Sequence, residues 1–248
     1  MPIPADAASI ARGEHLARTR GCFGCHGKAL EGEVFDDSGP LGYGRAVAPG
    51  LARLSRQVDA AALEAAIRQG IGHDGRALYS MPSYNFARLS DGDVAALIAF
   101  LRALPVRDKA LPAAYLGWKP RWDMARGEDF AIPHFVPPVP PLKHRSDARP
   151  EIRLGEYLAM TSCNECHGFG LRGDNPFHPP GEGPPDLAGA AGYARADFVT
   201  LMRTGKATGG RELRMMSGVA RGRFAHWTAA EIDAIHAYLL LLDEPAAQ

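Results

Sequence analysis

Two copies of one five-residue motif constrain this 248-residue chain more than any other feature: CFGCH at Cys22–His26 and CNECH at Cys163–His167. Together they use all four cysteines. Two thiols one helical turn apart can form thioethers to both vinyl groups on one edge of a haem macrocycle, and the adjacent histidine then lies under the iron. The motifs therefore predict two haem c groups, attached through Cys22 and Cys25 and through Cys163 and Cys166. His26 and His167 are the expected proximal metal ligands. A redox-active cysteine pair would sit in a βαβ setting, and no strand pattern surrounds either motif. A four-cysteine zinc ribbon would have to join pairs roughly 140 residues apart.

The motifs belong to an internal repeat. RGEHLARTRGCFGCHG (Arg12 to Gly27) matches LGEYLAMTSCNECHG (Leu154 to Gly168), GRALYSMP (Gly75 to Pro82) matches GRELRMMS (Gly210 to Ser217), and FARLSDGDVAALIAFL (Phe86 to Leu101) matches FAHWTAAEIDAIHAYL (Phe224 to Leu239). The segments keep their order, so the chain reads as one fold used twice. Each half predicts a helix into the CxxCH turn, near Ser9–Thr19 and Ile152–Met160. A middle helix follows, opening after Asp59 and ending at Gly70 in the first half, and ending at Gly205 in the second. A last helix opens on Ser90-x-x-Asp93 or Thr228-x-x-Glu231, both of capping-box type. Apolar residues then recur at helical spacing (Val94, Leu97, Ile98, Leu101; Ile232, Ile235, Tyr238, Leu239), and no alternating strand pattern stands out. The expected fold is all-α. Its domains are 1–104 and 151–248, joined by a Pro-rich connector, 105–150.

Each half resembles the class I cytochrome c fold, in which the first and last helices cross near the haem; Gly13 and Gly155 match the small residue at that crossing. The phrasing GEYLA…CNECHG and MPSYNFARLSDGDVAALIAFLRALP is similar to bacterial mono- and di-haem cytochrome c subunits of periplasmic dehydrogenases. The resemblance implies a methionine as the sixth iron ligand, just ahead of the last helix. Met81, followed by Pro82, holds that place in the first half. In the second, aligning the GRxL segments selects Met216, with Met215 as the alternative. Pro49 in APGL and Pro185 in PPDL match the proline whose carbonyl accepts a hydrogen bond from the proximal imidazole, a contact that orients the ring. His73 and His178 are the competing ligand candidates. They and His15, His134, His144, His226 and His236 are read as surface or supporting residues.

In the connector, PPVPP favours extended backbone. Trp118, Trp122, Phe130 and Phe135 are costly to leave in water, so the segment is expected to lie against one or both haem domains. Formal net charge is zero, which removes a general electrostatic case for nucleic acid. Residues 105–150 carry eight basic against five acidic residues, and 151–248 carry nine against twelve, an asymmetry that could bias docking. The longest apolar run, Tyr238 to Leu242, is too short to span a bilayer. The start, MPIPADAAS, shows no leader pattern, which is read as removal of a leader or trimming of an anchor.

His/Met ligation and the absence of paired carboxylates point to an electron carrier, or the electron-transfer subunit of a dehydrogenase or oxidase complex, with redox-protein donor and acceptor. The resemblance implies a periplasmic location, and association with a membrane-bound complex is compatible with it. The competing readings are a di-haem oxidoreductase, acting on peroxide or sulfur compounds, and a gas sensor with a displaceable distal ligand.

Overall fold

The computed structural model describes residues 1–107, 109–128, 130–175 and 183–242. Its backbone divides into two compact units, Met1–Pro137 and Pro138–Gln248.

In the first unit, α1 (Ala7–Thr19) leads to a single turn, α2 (Cys22–Cys25). A hairpin follows, β1 (Glu33–Gly39) and β2 (Gly44–Ala48), then α3 (Leu51–Gln57), α4 (Ala60–Gln69), α5 (Ser83–Phe86) and α6 (Asp91–Ala103). The connector supplies β3 (Tyr115–Leu116), α7 (Trp118–Ala125) and α8 (Ile132–Phe135). Helix ends fall where capping chemistry puts them. Asp59 accepts the Ala62 N–H at 2.7 Å to open α4, and Gly70, at φ 71°, closes it. Asp6 caps α1 through the Ser9 N–H, and Ser90 caps α6 through the Asp93 N–H. Asp93, buried at the start of α6, also receives the Arg12 guanidinium from α1.

The second unit repeats the plan with α9 (Pro150–Ala159), the motif turn α10 (Asn164–His167), α11 (Arg195–Thr204), a two-residue pair β4 (Lys206–Ala207) and β5 (Arg211–Glu212), α12 (Arg214–Gly222) and α13 (Ala229–Leu241). A full capping box, Thr228 with Glu231, opens α13. The core of this unit gathers Ile152, Phe198, Trp227, Ile232, Ile235 and Tyr238, all 5% exposed or less. Each such side chain contributes ~1.5–3 kcal/mol on burial.

In both units the first and last helices cross at a glycine. A Cβ on Gly13 would lie 2.0 Å from the Ala96 carbonyl oxygen and 2.6 Å from the Phe100 Cβ. One on Gly155 would lie 2.0 Å from the Ala234 carbonyl and 2.7 Å from the Tyr238 Cβ. The helices touch backbone to backbone, and any larger residue must force them apart.

The chain is mostly helical but not all-α, which corrects the expectation from sequence. β1 pairs antiparallel with β2, from Glu33 opposite Ala48 to Gly39 opposite Gly44, and β2 carries β3 on its other edge. Two register shifts interrupt the hairpin, between Val34 and Asp36 and between Asp37 and Gly39. Such irregularities destroy the period-two pattern by which a strand is recognised, and residues 35–38 of β1 are all exposed. The connector also departs from expectation in detail. It packs through β3, through buried Ile132 and through the Ile132 N–H to the Leu78 carbonyl, and Phe130 and Phe135 are half-buried. Trp118 and Trp122, however, stay 62% and 52% exposed, stacked on each other at 6.1 Å.

Gly13→Ala and Gly155→Ala should each lower the stability of their unit by roughly 3 kcal/mol through overpacking. Gly92→Ala, whose Cβ would meet only the Ser90 hydroxyl at 4.0 Å, should be neutral or slightly stabilising. Thermal denaturation of the haem-loaded variants checks the ordering.

Candidate haem-binding sites

The loop after each motif builds the proximal side. His26 N–H returns to the Cys22 carbonyl at 3.0 Å, and His167 N–H to Cys163 at 2.9 Å, so each histidine ends a turn that begins at the first cysteine. Three residues past the following glycine come Leu30 and Leu171, both in the left-handed region (φ 58° and 61°) and both fully buried. That conformation costs about 1–2 kcal/mol for an L-residue, which burial of the leucine side chain offsets. The reversal carries the chain back under the histidine: Gly32 N–H bonds the His26 carbonyl at 2.8 Å, and Gly173 bonds that of His167 at 2.9 Å. Each buried leucine then accepts from a residue downstream, Leu51 on Leu30 and Leu187 on Leu171, both at 2.9 Å. Two residues before these donors stand Pro49 and Pro185.

Their carbonyls meet the imidazoles. His26 Nδ1 lies 2.8 Å from the Pro49 oxygen, and His167 Nδ1 lies 2.8 Å from the Pro185 oxygen. A carbonyl only accepts, so Nδ1 carries the proton and Nε2 is the nitrogen left with a lone pair. Burial pushes both imidazole pKa values below the usual histidine range, against the smaller opposing pull of the carbonyl. Both rings are thus neutral at physiological pH and oriented as metal ligands require. Cys22, Cys25, Cys163 and Cys166 stand half-buried on the same turns. This donor set fits haem c: two thiols for the macrocycle edge and one prepared imidazole for the iron, twice. Asn164, inside the second motif, is fully buried with neither amide atom bonded to a described residue, which leaves polar capacity beside the attachment point.

The methionines separate by environment. Met81 is half-buried just ahead of α5. Met215 is 74% exposed, whereas Met216 packs against the core of the second unit. A device not visible in the sequence holds both segments. Ser83, buried two residues after Met81, donates its hydroxyl to the Ala66 carbonyl of α4 at 2.7 Å. Ser217, buried beside Met216, donates to the Gly205 carbonyl at the end of α11 and accepts the Leu213 N–H at 2.7 Å. In each unit a buried serine ties the methionine segment to the middle helix.

An arginine supplies a second unforeseen tie. Arg68 in α4 donates to the Leu89 carbonyl, and Arg203 in α11 donates to the Trp227 and Ala225 carbonyls. Leu89 and Trp227 are equivalent residues, one before each N-cap of the last helix. The signal was available: each arginine stands two residues before the glycine that closes its helix. The remaining histidines take ordinary places. His236 Nε2 lies 3.0 Å from the Tyr193 carbonyl, His144 packs edge-on to Tyr238, and His73, His134 and His226 are exposed. His178 lies outside the described residues.

A model of the cytochrome c family matches residues 10–105 and 152–243. The chain belongs to the cytochrome c family. Each matched segment contains one CxxCH motif, and the protein carries two covalently bound haem c groups. Its similar proteins include the cytochrome c subunit of a quinone alcohol dehydrogenase from Gluconobacter oxydans, 29% identical over 95% of this chain and 55% of the relative. A nicotinate dehydrogenase subunit from Pseudomonas putida is 36% identical over 49% of the chain and 12% of its own length. The gluconate 2-dehydrogenase cytochrome c subunit from Pantoea cypripedii is 28% identical over 66% and 38%. The chain spans about half the length of the alcohol dehydrogenase subunits it matches.

Arg203→Met removes two charge-assisted bonds to carbonyls and should destabilise the second unit by roughly 2–3 kcal/mol while leaving the first unchanged. Guanidinium denaturation followed at the two haems separately reads this out.

Proposed function

We propose that this cytochrome c is an electron-transfer subunit, passing single electrons through two His/Met-ligated haems from a dehydrogenase subunit to a second redox protein in the periplasm. The observation that carries the reading is the paired construction of the sites. Each unit offers an imidazole held neutral and aimed through Nε2, together with a half-buried methionine whose segment is anchored to the middle helix. His26 with Met81, and His167 with Met216, are the proposed axial pairs, and the four cysteines are the attachment points. The haem iron supplies the one-electron couple. The protein fixes the ligands, excludes water from them and sets their potential, which the thioether raises relative to a second imidazole.

The domain assignment is part of the same proposal: haem domains at 1–104 and 151–248, with 105–150 between them. The dehydrogenase partner follows from the similar proteins, which are themselves subunits of dehydrogenases. A membrane-bound dehydrogenase complex is the proposed setting. No described helix is long and apolar enough to cross a membrane. The enzyme and sensor readings both need a distal ligand that leaves easily. The Met216 segment is a helix tied at Ser217, and that speaks against them.

The test is a potentiometric titration with carbon monoxide addition to the dithionite-reduced protein. Two one-electron waves and an unchanged Soret band are expected. Met81→Ala and Met216→Ala should each lower one wave and admit carbon monoxide at about half of the haem, and Met215→Ala should do neither. Carbon monoxide binding by the unaltered protein would overturn the carrier reading in favour of a displaceable ligand.

A further inference from the structure

The two sites differ at the middle of the attachment motif. In CNECH, Glu165 extends to Arg223, 58 residues later, with Oε2 2.6 Å from Nη1 and Oε1 3.5 Å from Nη2. The pair is largely shielded, at 21% and 19% side-chain exposure. Arg223 directly follows α12, the helix that carries Met216. The Glu165 carbonyl accepts a further bond at 2.7 Å from the Asn175 side chain, which also bonds the Cys166 carbonyl at 2.9 Å. The attachment turn is thus fixed from below by Asn175 and joined sideways to the methionine helix. The first unit lacks the residues for such a link. Its equivalent of Glu165 is Gly24, exposed, with nothing within 4 Å of where a side chain would begin. Val34 stands in the place of Asn175 when the residues are counted from the two motifs, and Asn85, which precedes Phe86 as Arg223 precedes Phe224, stands in the place of Arg223.

The methionine segments explain why the second unit needs the link. Met81 is followed by Pro82, whose ring limits its backbone, and the short turn runs straight into α5. Met216 has no proline after it and sits in a nine-residue helix. Ser217 holds the start of that helix to α11. Glu165 holds its far end to the haem attachment turn, so the helix that carries Met216 is restrained at both ends.

We propose that Glu165 and Arg223 are positioning residues for the second haem: their ion pair ties the proximal attachment turn to the distal helix and keeps Met216 on the iron. The proposal rests on the reading of Met216 as the sixth ligand. Tension between the two sides of the haem is carried through this contact, so its removal loosens the iron–thioether bond at one haem only.

The experiment uses the full chain with both haems attached. Glu165→Ala and Arg223→Gln are compared with the unaltered protein, with the reversed pair Glu165→Arg/Arg223→Glu, and with Arg221→Gln. The last removes an exposed pair from Arg221, on the same helix, to Glu212 of β5, with a bond to the Thr204 carbonyl at 3.2 Å. Haem content per chain and far-ultraviolet circular dichroism establish that each variant is assembled. In Glu165→Ala and Arg223→Gln, carbon monoxide should bind at up to about half of the haem, and one reduction wave should fall while the other stays in place. The reversed pair should restore inertness and the wave, and Arg221→Gln should match the unaltered protein. If a single variant loses its second haem outright, the reversed pair decides: recovery supports the link, and failure to recover overturns it. Unchanged waves and no carbon monoxide binding in the single variants overturn the proposal alone. Carbon monoxide binding by the unaltered protein overturns the underlying ligand reading with it.

Discussion

The bond from the motif histidine to a proline carbonyl is the contact around which each unit is arranged. A histidine that is to bind iron must be neutral, must present one nitrogen, and must not rotate. Burial secures the first, and the carbonyl secures the other two at 2.8 Å in both units. To bring that carbonyl there, the chain turns back on itself through a left-handed buried leucine. It then hydrogen-bonds across the turn, and only afterwards starts its next helical segment. The strain at Leu30 and Leu171 is a local cost of placing one oxygen atom.

Around that contact the helices form a frame whose tightest point is the glycine crossing. Gly13 against Ala96 and Gly155 against Ala234 allow first and last helices to touch at backbone distance. The last helix is then held at its N-terminal end by Arg68 or Arg203, reaching across from the middle helix. The middle helix also receives the serine next to the methionine candidate. Each methionine segment and each last helix therefore refer to the same middle helix, and a shift in one is resisted by the other.

What the sequence discloses and what it conceals divide along physical lines. CxxCH, the crossing glycines, Pro49 and Pro185, and the caps at Asp59, Ser90 and Thr228 are legible because each depends on a residue type at a fixed local spacing. The β1–β2 hairpin is not, since its two register shifts and exposed strand erase alternation. The serine and arginine ties are long-range bonds to backbone carbonyls, and a carbonyl carries no residue signature. Met216 over Met215 follows from alignment of the repeat, and the structure adds the difference in burial. The connector tryptophans mislead in the other direction. Two stacked indoles with a lysine at the neighbouring Tyr43 ring remain exposed where the cost of exposure argued for packing.

The repeat shows one fold meeting the same requirement by two routes. On the proposed ligation by Met81 and Met216, a methionine on the far side of a haem must not swing away each time the iron changes charge. The first unit meets this with covalent stiffness, a proline directly after Met81 and a short turn into α5. The second has no proline after Met216 and carries it in a helix, so its restraint has to come from outside the segment. Ser217 provides it at one end and the Glu165–Arg223 pair at the other. A charged pair is a different kind of restraint from a ring. It is partly screened, it acts between groups distant in the chain, and it adds fixed charges near one haem and not the other. Two haems with the same proposed ligand types thereby stand in different electrostatic surroundings, a condition under which their potentials separate and electrons acquire a preferred direction.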